Sequence, residues 1–182
     1  MLNTYVVYVE NKPGVLTHVA SLFRRRAFNI DSLTVGRTEK PEVSRMTITV
    51  DADHDQARRI EANLYKLVNV LLVENITHEP AIIRDLAMIK VAATHEARSH
   101  VLELASVFRA RVVDVAPDSL TIEITGAEDK IDGLLEVLRP YGVLEMVRTG
   151  IVAMRRGKSS TGVQTATNSD QDLAEEDVSH SV

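Results

Sequence analysis

The chain contains no cysteine and no tryptophan in its 182 residues, and aromatic side chains make up only 4% of it. Without cysteine there can be no disulfide, no thiolate zinc ligand and no thiol nucleophile. Hydrophobic residues account for 45%, so a core is available, but it must be built mainly from aliphatic side chains. No apolar run approaches the roughly 20 residues that cross a bilayer. The opening MLNTYVVYVENK also lacks the basic start of a signal peptide. These absences lead us to expect a cytoplasmic protein with no membrane partner.

Charge is missing in a different sense. The formal net charge of −5 is concentrated at one end: residues 157–182 hold Lys158 against Asp170, Asp172, Glu175, Glu176 and Asp177. Residues 1–156 are left with 20 basic and 21 acidic side chains. Neither part has the strongly basic field that nucleic-acid binding requires. Residues 158–182 are small, polar and acidic with almost nothing to bury, so they are expected to form a disordered acidic tail.

What is present is a repeat. ASLFRRR at 20–26 matches ASVFRAR at 105–111 with an offset of 85, and residues 46–73 track 120–147 with an offset of 74. In the second match Ile60, Leu64, Val70 and Val73 align with Leu134, Leu138, Leu144 and Val147. A tandem duplication explains both. Each copy reads the same way. TYVVYVE (4–10) is β-branched and aromatic, as strands are. Val15, Leu16, Val19, Ala20, Leu22 and Phe23 then mark one face of a helix. NIDSLTVGR (29–37) and VSRMTITV (43–50) predict two strands, residues 53–68 a helix, and NVLLVENIT (69–77) a closing strand. The second copy gives a strand at 85–93, a helix over 96–110, strands at 111–117 and 119–126, a helix over 128–139 and a closing strand at 142–154. That is βαββαβ twice: an α+β protein of two tandem ferredoxin-like units, residues 1–78 and 79–157.

Catalytic patterns are absent. There is no G-x-S-x-G, no G-x-x-x-x-G-K-[ST] and no G-x-G-x-x-G. The six histidines never fall at helical ligand spacing, and the carboxylates of DADHD (51–55) stand where an N-cap belongs. Arg24, Arg25 and Arg26 fall in the last turn of the first helix, where cations complement the dipole. RMTITV lacks the aromatics of an RNA-reading sheet. The first strand–helix loop offers only Lys12 where an acyl-phosphate hydrolase of this fold would want an arginine. No catalytic residue and no metal ligand is expected.

The loop ENKPGVL is the exception. A helix start carries unpaired N–H groups and the positive end of the dipole, which suits a carboxylate. Gly14 would let a ligand approach the backbone, and Asn29, from a neighbouring copy, offers a donor and an acceptor. A small zwitterion would fit, with its apolar part against Val15, Leu16 or Ile30. An ordinary turn glycine and cap asparagine explain the same residues, and the residue types alone leave both readings open.

The sequence ENKPGVLTHVASLFRRRAFNIDSLTVGRTEKPEVSRMTI resembles the ACT domain of the acetolactate (acetohydroxyacid) synthase small, regulatory subunit family. KLVNV (66–70), RDLAMIKV (84–91) and RTGIVAMRRG (148–157) resemble later segments of that family, so the likeness covers about 1–157. It implies a homodimer through ACT domains and a partner, the large catalytic subunit. That subunit would hold thiamine diphosphate, Mg²⁺ and FAD, with no cofactor in this chain. It also implies an effector, valine, bound by Asn11, Gly14, Val15 and Leu16 on one copy and Asn29 and Ile30 on the other. Relatives carry glycine where Ala27 stands, so some strain is expected after the first helix. The second copy lacks the Pro-Gly turn and is assigned to partner contact. A free-standing ACT-type module acting on another protein is the alternative.

Overall fold

A computed structural model describes residues 1–157; the tail from residue 158 lies outside the described residues. The first unit comprises β1 (Leu2–Glu10), α1 (Val15–Arg25), β2 (Ile30–Arg37), β3 (Val43–Asp51), α2 (His54–Leu64) and β4 (Val70–Asn75). The second comprises β5 (Ala81–Ala92), α3 (Arg98–Val107), β6 (Arg111–Val115), β7 (Ser119–Gly126), α4 (Glu128–Leu138) and β8 (Val143–Arg148), followed by β9 (Val152–Arg155). The sheets run β2-β3-β1-β4 and β6-β7-β5-β8, all antiparallel. The two-fold βαββαβ reading of the sequence is the observed fold.

Strand alternation builds each core. Tyr5, Val7 and Val9 on β1, with Met46, Ile48 and Val50 on β3, pack against Val19, Phe23, Ile60 and Leu64 of the two helices. Complete burial of side chains such as Ile48 or Leu64 contributes about 1.5–3 kcal/mol each. The Tyr5 hydroxyl donates to the Ala57 carbonyl at 3.1 Å inside this core. Burial, with the Glu61 carboxylate adding to it, pushes the phenol pKa up to about 12. Ala87, Ile89 and Val91 with Leu120, Ile122 and Ile124 make the matching core of the second unit.

Three sequence expectations need correction. The closing strand expected over 142–154 is two strands: the chain breaks at Gly150, with φ +85°, and β9 runs back along Ala81–Arg84 of β5. The resulting two-stranded ribbon lies on the outer face of the first sheet, where Ile83, Ile151 and Ala153 cover Val6 and Tyr8. The helix expected to reach residue 68 stops at Leu64, because the Tyr65 hydroxyl turns to bond both the N–H and the carbonyl of Val73 on β4. Val68 is left 95% exposed.

The third correction concerns the repeat. Positive φ falls at Ala27 and Arg109, and the same helix-ending bond joins Phe28 N–H to Phe23 and Ala110 N–H to Ala105. The register slips after Tyr8 in β1 and after Lys90 in β5. All these markers are 82 residues apart, so ASLFRRR and ASVFRAR at 85 are not structural equivalents. A three-residue slip is nearly one helical turn, which preserves the apolar face and hides the error.

Ala27 sits at φ 56°, a left-handed conformation that costs a residue with a Cβ roughly 1 kcal/mol or more. Ala27→Gly should therefore raise stability by about 1 kcal/mol and Tm by about 2–4 °C. Thermal denaturation measures this; an unchanged or lower Tm would show that no strain is stored there.

Candidate functional site

α1 starts without any of the usual devices. Gly14 is its N-cap at φ 86° and ψ −14°, no side chain caps it, and its first turn has no acid. α2 by contrast carries a complete capping box, in which Asp53 Oδ1 accepts from Gln56 N–H at 2.8 Å and Gln56 Oε1 from Asp53 N–H at 2.9 Å. α4 has Glu128 and Asp129 in its first turn. The Val15 N–H reaches only the Lys12 carbonyl, at 3.4 Å, and among the described residues the amides of Leu16 and Thr17 have no partner. The positive end of α1 is thus open to an anion. A Cβ added at Gly14 would meet nothing within 4 Å. The glycine is required by its backbone angle, and the space above it is free.

The loop is braced from both sides. Asn11 donates its N–H to the Glu42 carbonyl at 2.7 Å and its Nδ2 to the Pro41 carbonyl at 2.9 Å, which ties it to the β2–β3 connection. Glu10 N–H donates to the Asn69 carbonyl, while the Glu10 carboxylate accepts from Asn69 Nδ2 and from Lys12 Nζ. Neither Glu10 nor Asn69 stood out in the sequence. Both are ordinary polar residues 59 positions apart, and only the fold brings them together.

The expected site residues divide into groups. Asn11, Gly14 and Leu16 are exposed at the loop, with the Leu16 side chain 44% accessible. Val15 points into the core, 4% exposed, so on the ligand side it can offer only backbone. Asn29 is exposed immediately before β2, and Ile30 is half-buried against the first core.

These groups do not meet within one chain. Glu10 pairs with Val43 at one end of the sheet, while Ile30 pairs with Val50 at the other. Seven strand residues separate the ends, about 24 Å at the usual rise. β2, however, is an edge strand with Val35, Gly36 and Arg37 exposed, and edge strands are templates for pairing.

Comparison with known proteins identifies the fold's relatives. The model of the AHAS small subunit-like ACT domain matches residues 6–72, and that of the small subunit of acetolactate synthase matches residues 84–157. A probable acetolactate synthase small subunit of Archaeoglobus fulgidus is 50% identical over 157 residues, covering 86% of this chain and 98% of that protein. The chain belongs to the acetolactate synthase small subunit family. The Mycolicibacterium smegmatis family member is 46% identical, covering 88% of this chain and 94% of its own length. The crystal structure of the family's Thermotoga maritima member superposes with a TM-score of 0.80 at 40% identity, covering 87% of this chain and 99% of that one. No helix among the described residues is long and apolar enough to cross a membrane.

The charges at the loop give a direct check on the bracing. The Asn69 amide, and after it Lys12, hold the Glu10 carboxyl below the usual 4.5. A depressed carboxylate contributes stability at neutral pH that is lost as pH falls through its folded-state value. Asn69→Ala should raise the Glu10 pKa toward 4.5, read from its side-chain carboxyl resonance by NMR. No change on substitution would mean that Asn69 does not set the loop's charge state.

Proposed function

We propose that this chain is the regulatory subunit of a cytoplasmic acetolactate synthase, without catalysis of its own. In this reading it activates a large catalytic subunit and makes it sensitive to valine. Thiamine diphosphate, Mg²⁺ and FAD belong to the large subunit. The observation that carries the proposal is the bare, glycine-opened start of α1 in a chain of this family.

Two copies would pair through β2. An antiparallel pairing centred between Leu33 and Thr34 sets Ile30 of one copy opposite Arg37 of the other. Arg37 lies beside Ser44, next to the Val43–Glu10 pair at the loop end of the sheet. Asn29 of the second copy thereby approaches Gly14 of the first. The effector's carboxylate then sits on the amides of Leu16 and Thr17, its ammonium faces Asn29, and its branched side chain lies against Leu16 and Ile30. Binding at this joint biases the dimer and, through it, the large subunit.

Gly14→Asp puts a side chain and a negative charge into the free space over α1; its Cβ meets no other atom within 4 Å, and aspartate is among the residue types that best tolerate the left-handed backbone there. Valine inhibition of the reconstituted complex should fall by at least tenfold in sensitivity, with activation of the large subunit largely kept. Calorimetry on the isolated subunit should show the matching loss of valine binding. Inhibition unchanged from the parent would place the effector elsewhere.

A further inference from the structure

Strand β2 carries the second half of the proposed site, and the residue that meets the rest of the protein lies two positions beyond Ile30. The Ser32 hydroxyl accepts a hydrogen bond from the Ile151 N–H at 3.1 Å, across 119 residues of sequence. A Cβ on Gly150 would lie 2.5 Å from Ser32 Oγ and 3.2 Å from Thr34 Oγ1, and Gly150 has φ +85°. Any side chain here would strain the backbone and displace the Ser32 hydroxyl from its place against Ile151. The strand's register with β3 also shifts between Ile30 and Ser32, so the segment between effector side and seam is already irregular.

The other side of the seam is anchored in the second unit. Thr149 Oγ1 bonds Asp85 Oδ1 at 3.0 Å, and the Thr149 N–H donates to the Leu86 carbonyl at 3.0 Å. Arg148 lies among Asp85, Glu128 and Asp132, reaching α4 through the last two. The path from Ile30 to α4 thus runs through contiguous contacts: Ser32, Gly150 with Ile151, Thr149 with Arg148, then the carboxylates. At the seam itself Thr34 Oγ1 is buried, with no hydrogen-bond partner among the described residues.

We infer that Ser32 and Gly150 are positioning residues for regulation: their contact transmits occupancy of the effector site on β2 to the second unit. This rests on the valine reading above. Coupling of this kind needs a physical element that both sites bias, and the tight glycine–serine seam supplies one. Ser32 and Gly150 are not among the residues placed around the effector, so the binding step should survive their replacement while the response does not.

The test uses the full-length chain reconstituted with its large subunit, as wild type, Ser32→Ala and Gly150→Ala. Valine binding is measured by calorimetry on the subunit, and inhibition and activation on the complex. Both variants should bind valine within about threefold of wild type and still activate, while the maximal inhibition by valine drops by at least half. Inhibition with the wild-type midpoint and extent in both variants would overturn the inference. So would loss of binding together with inhibition, because the residues would then serve the site itself. Absence of valine binding by the wild type would instead defeat the effector reading on which the inference stands. Ser32→Ala removes the hydroxyl at the seam and leaves the backbone unchanged, so it decides the matter even if Gly150→Ala fails to fold.

Discussion

Burial of β1 on both faces is the constraint from which the rest of the molecule follows. Tyr5, Val7 and Val9 are sealed by the helices, and Val6 on the opposite face is sealed by Ile76 and Ala153. A strand covered on both sides must be apolar almost throughout, and TYVVYVE is. Among the described residues, β5 in the second unit has no such second cover along its later half. There Ala87, Ile89 and Val91 are buried, while Met88 is 40% exposed and Lys90 pairs with Glu145 on the open side. Sealing β1 requires the ribbon of β5 and β9. Arg45 fixes that ribbon by donating to the Ala153 carbonyl while lying 5.6 Å from the Tyr8 ring centre. With one face given to helices and the other to the ribbon, the first sheet keeps only its edges for a neighbour.

Much of this is legible in the sequence alone. Period-two and helical patterns locate the elements of both βαββαβ units within a few residues, because local alternation is what buries the cores; β9 alone merges with the strand before it. Register was harder. A helix constrains which face is apolar far more than which turn a residue occupies, so ASLFRRR found a partner one turn out of step. Positive φ at Ala27 and Arg109 gives the true spacing, and neither residue type advertises it. The break at Gly150 was hidden for a related reason. GVLEMVRTGIVAM is apolar on either side of the glycine, and only long-range contacts, the pairing of β9 with Ala81–Arg84 and the bonds to Arg45 and Ser32, show that the strand breaks there.

The candidate site was legible in part. Pro13 and Gly14 announce an unusual helix start, and the structure turns that into a bare N-terminus with open space above it. The sequence places Val15 both on the helix face and at the ligand; a side chain cannot point both ways, and the core takes it. The braces from Glu10 to Asn69 and from Asn11 to Pro41 carried no sequence signal, because long-range polar contacts depend on the path of the chain rather than on spacing.

Gly14 and Asn29 stand at opposite ends of one sheet, and this has a consequence for how such a protein responds to dilution. A ligand gripped by both residues acts as a cross-link between copies, so assembly and occupancy become one equilibrium rather than two. Its apparent affinity would then fall as the subunit becomes scarce and rise as it accumulates. In the proposed β2-paired dimer, two-fold symmetry would generate a second identical grip, so each cross-link would make the other easier to close. Under that proposal the amount of protein made would tune how sharply the effector is sensed.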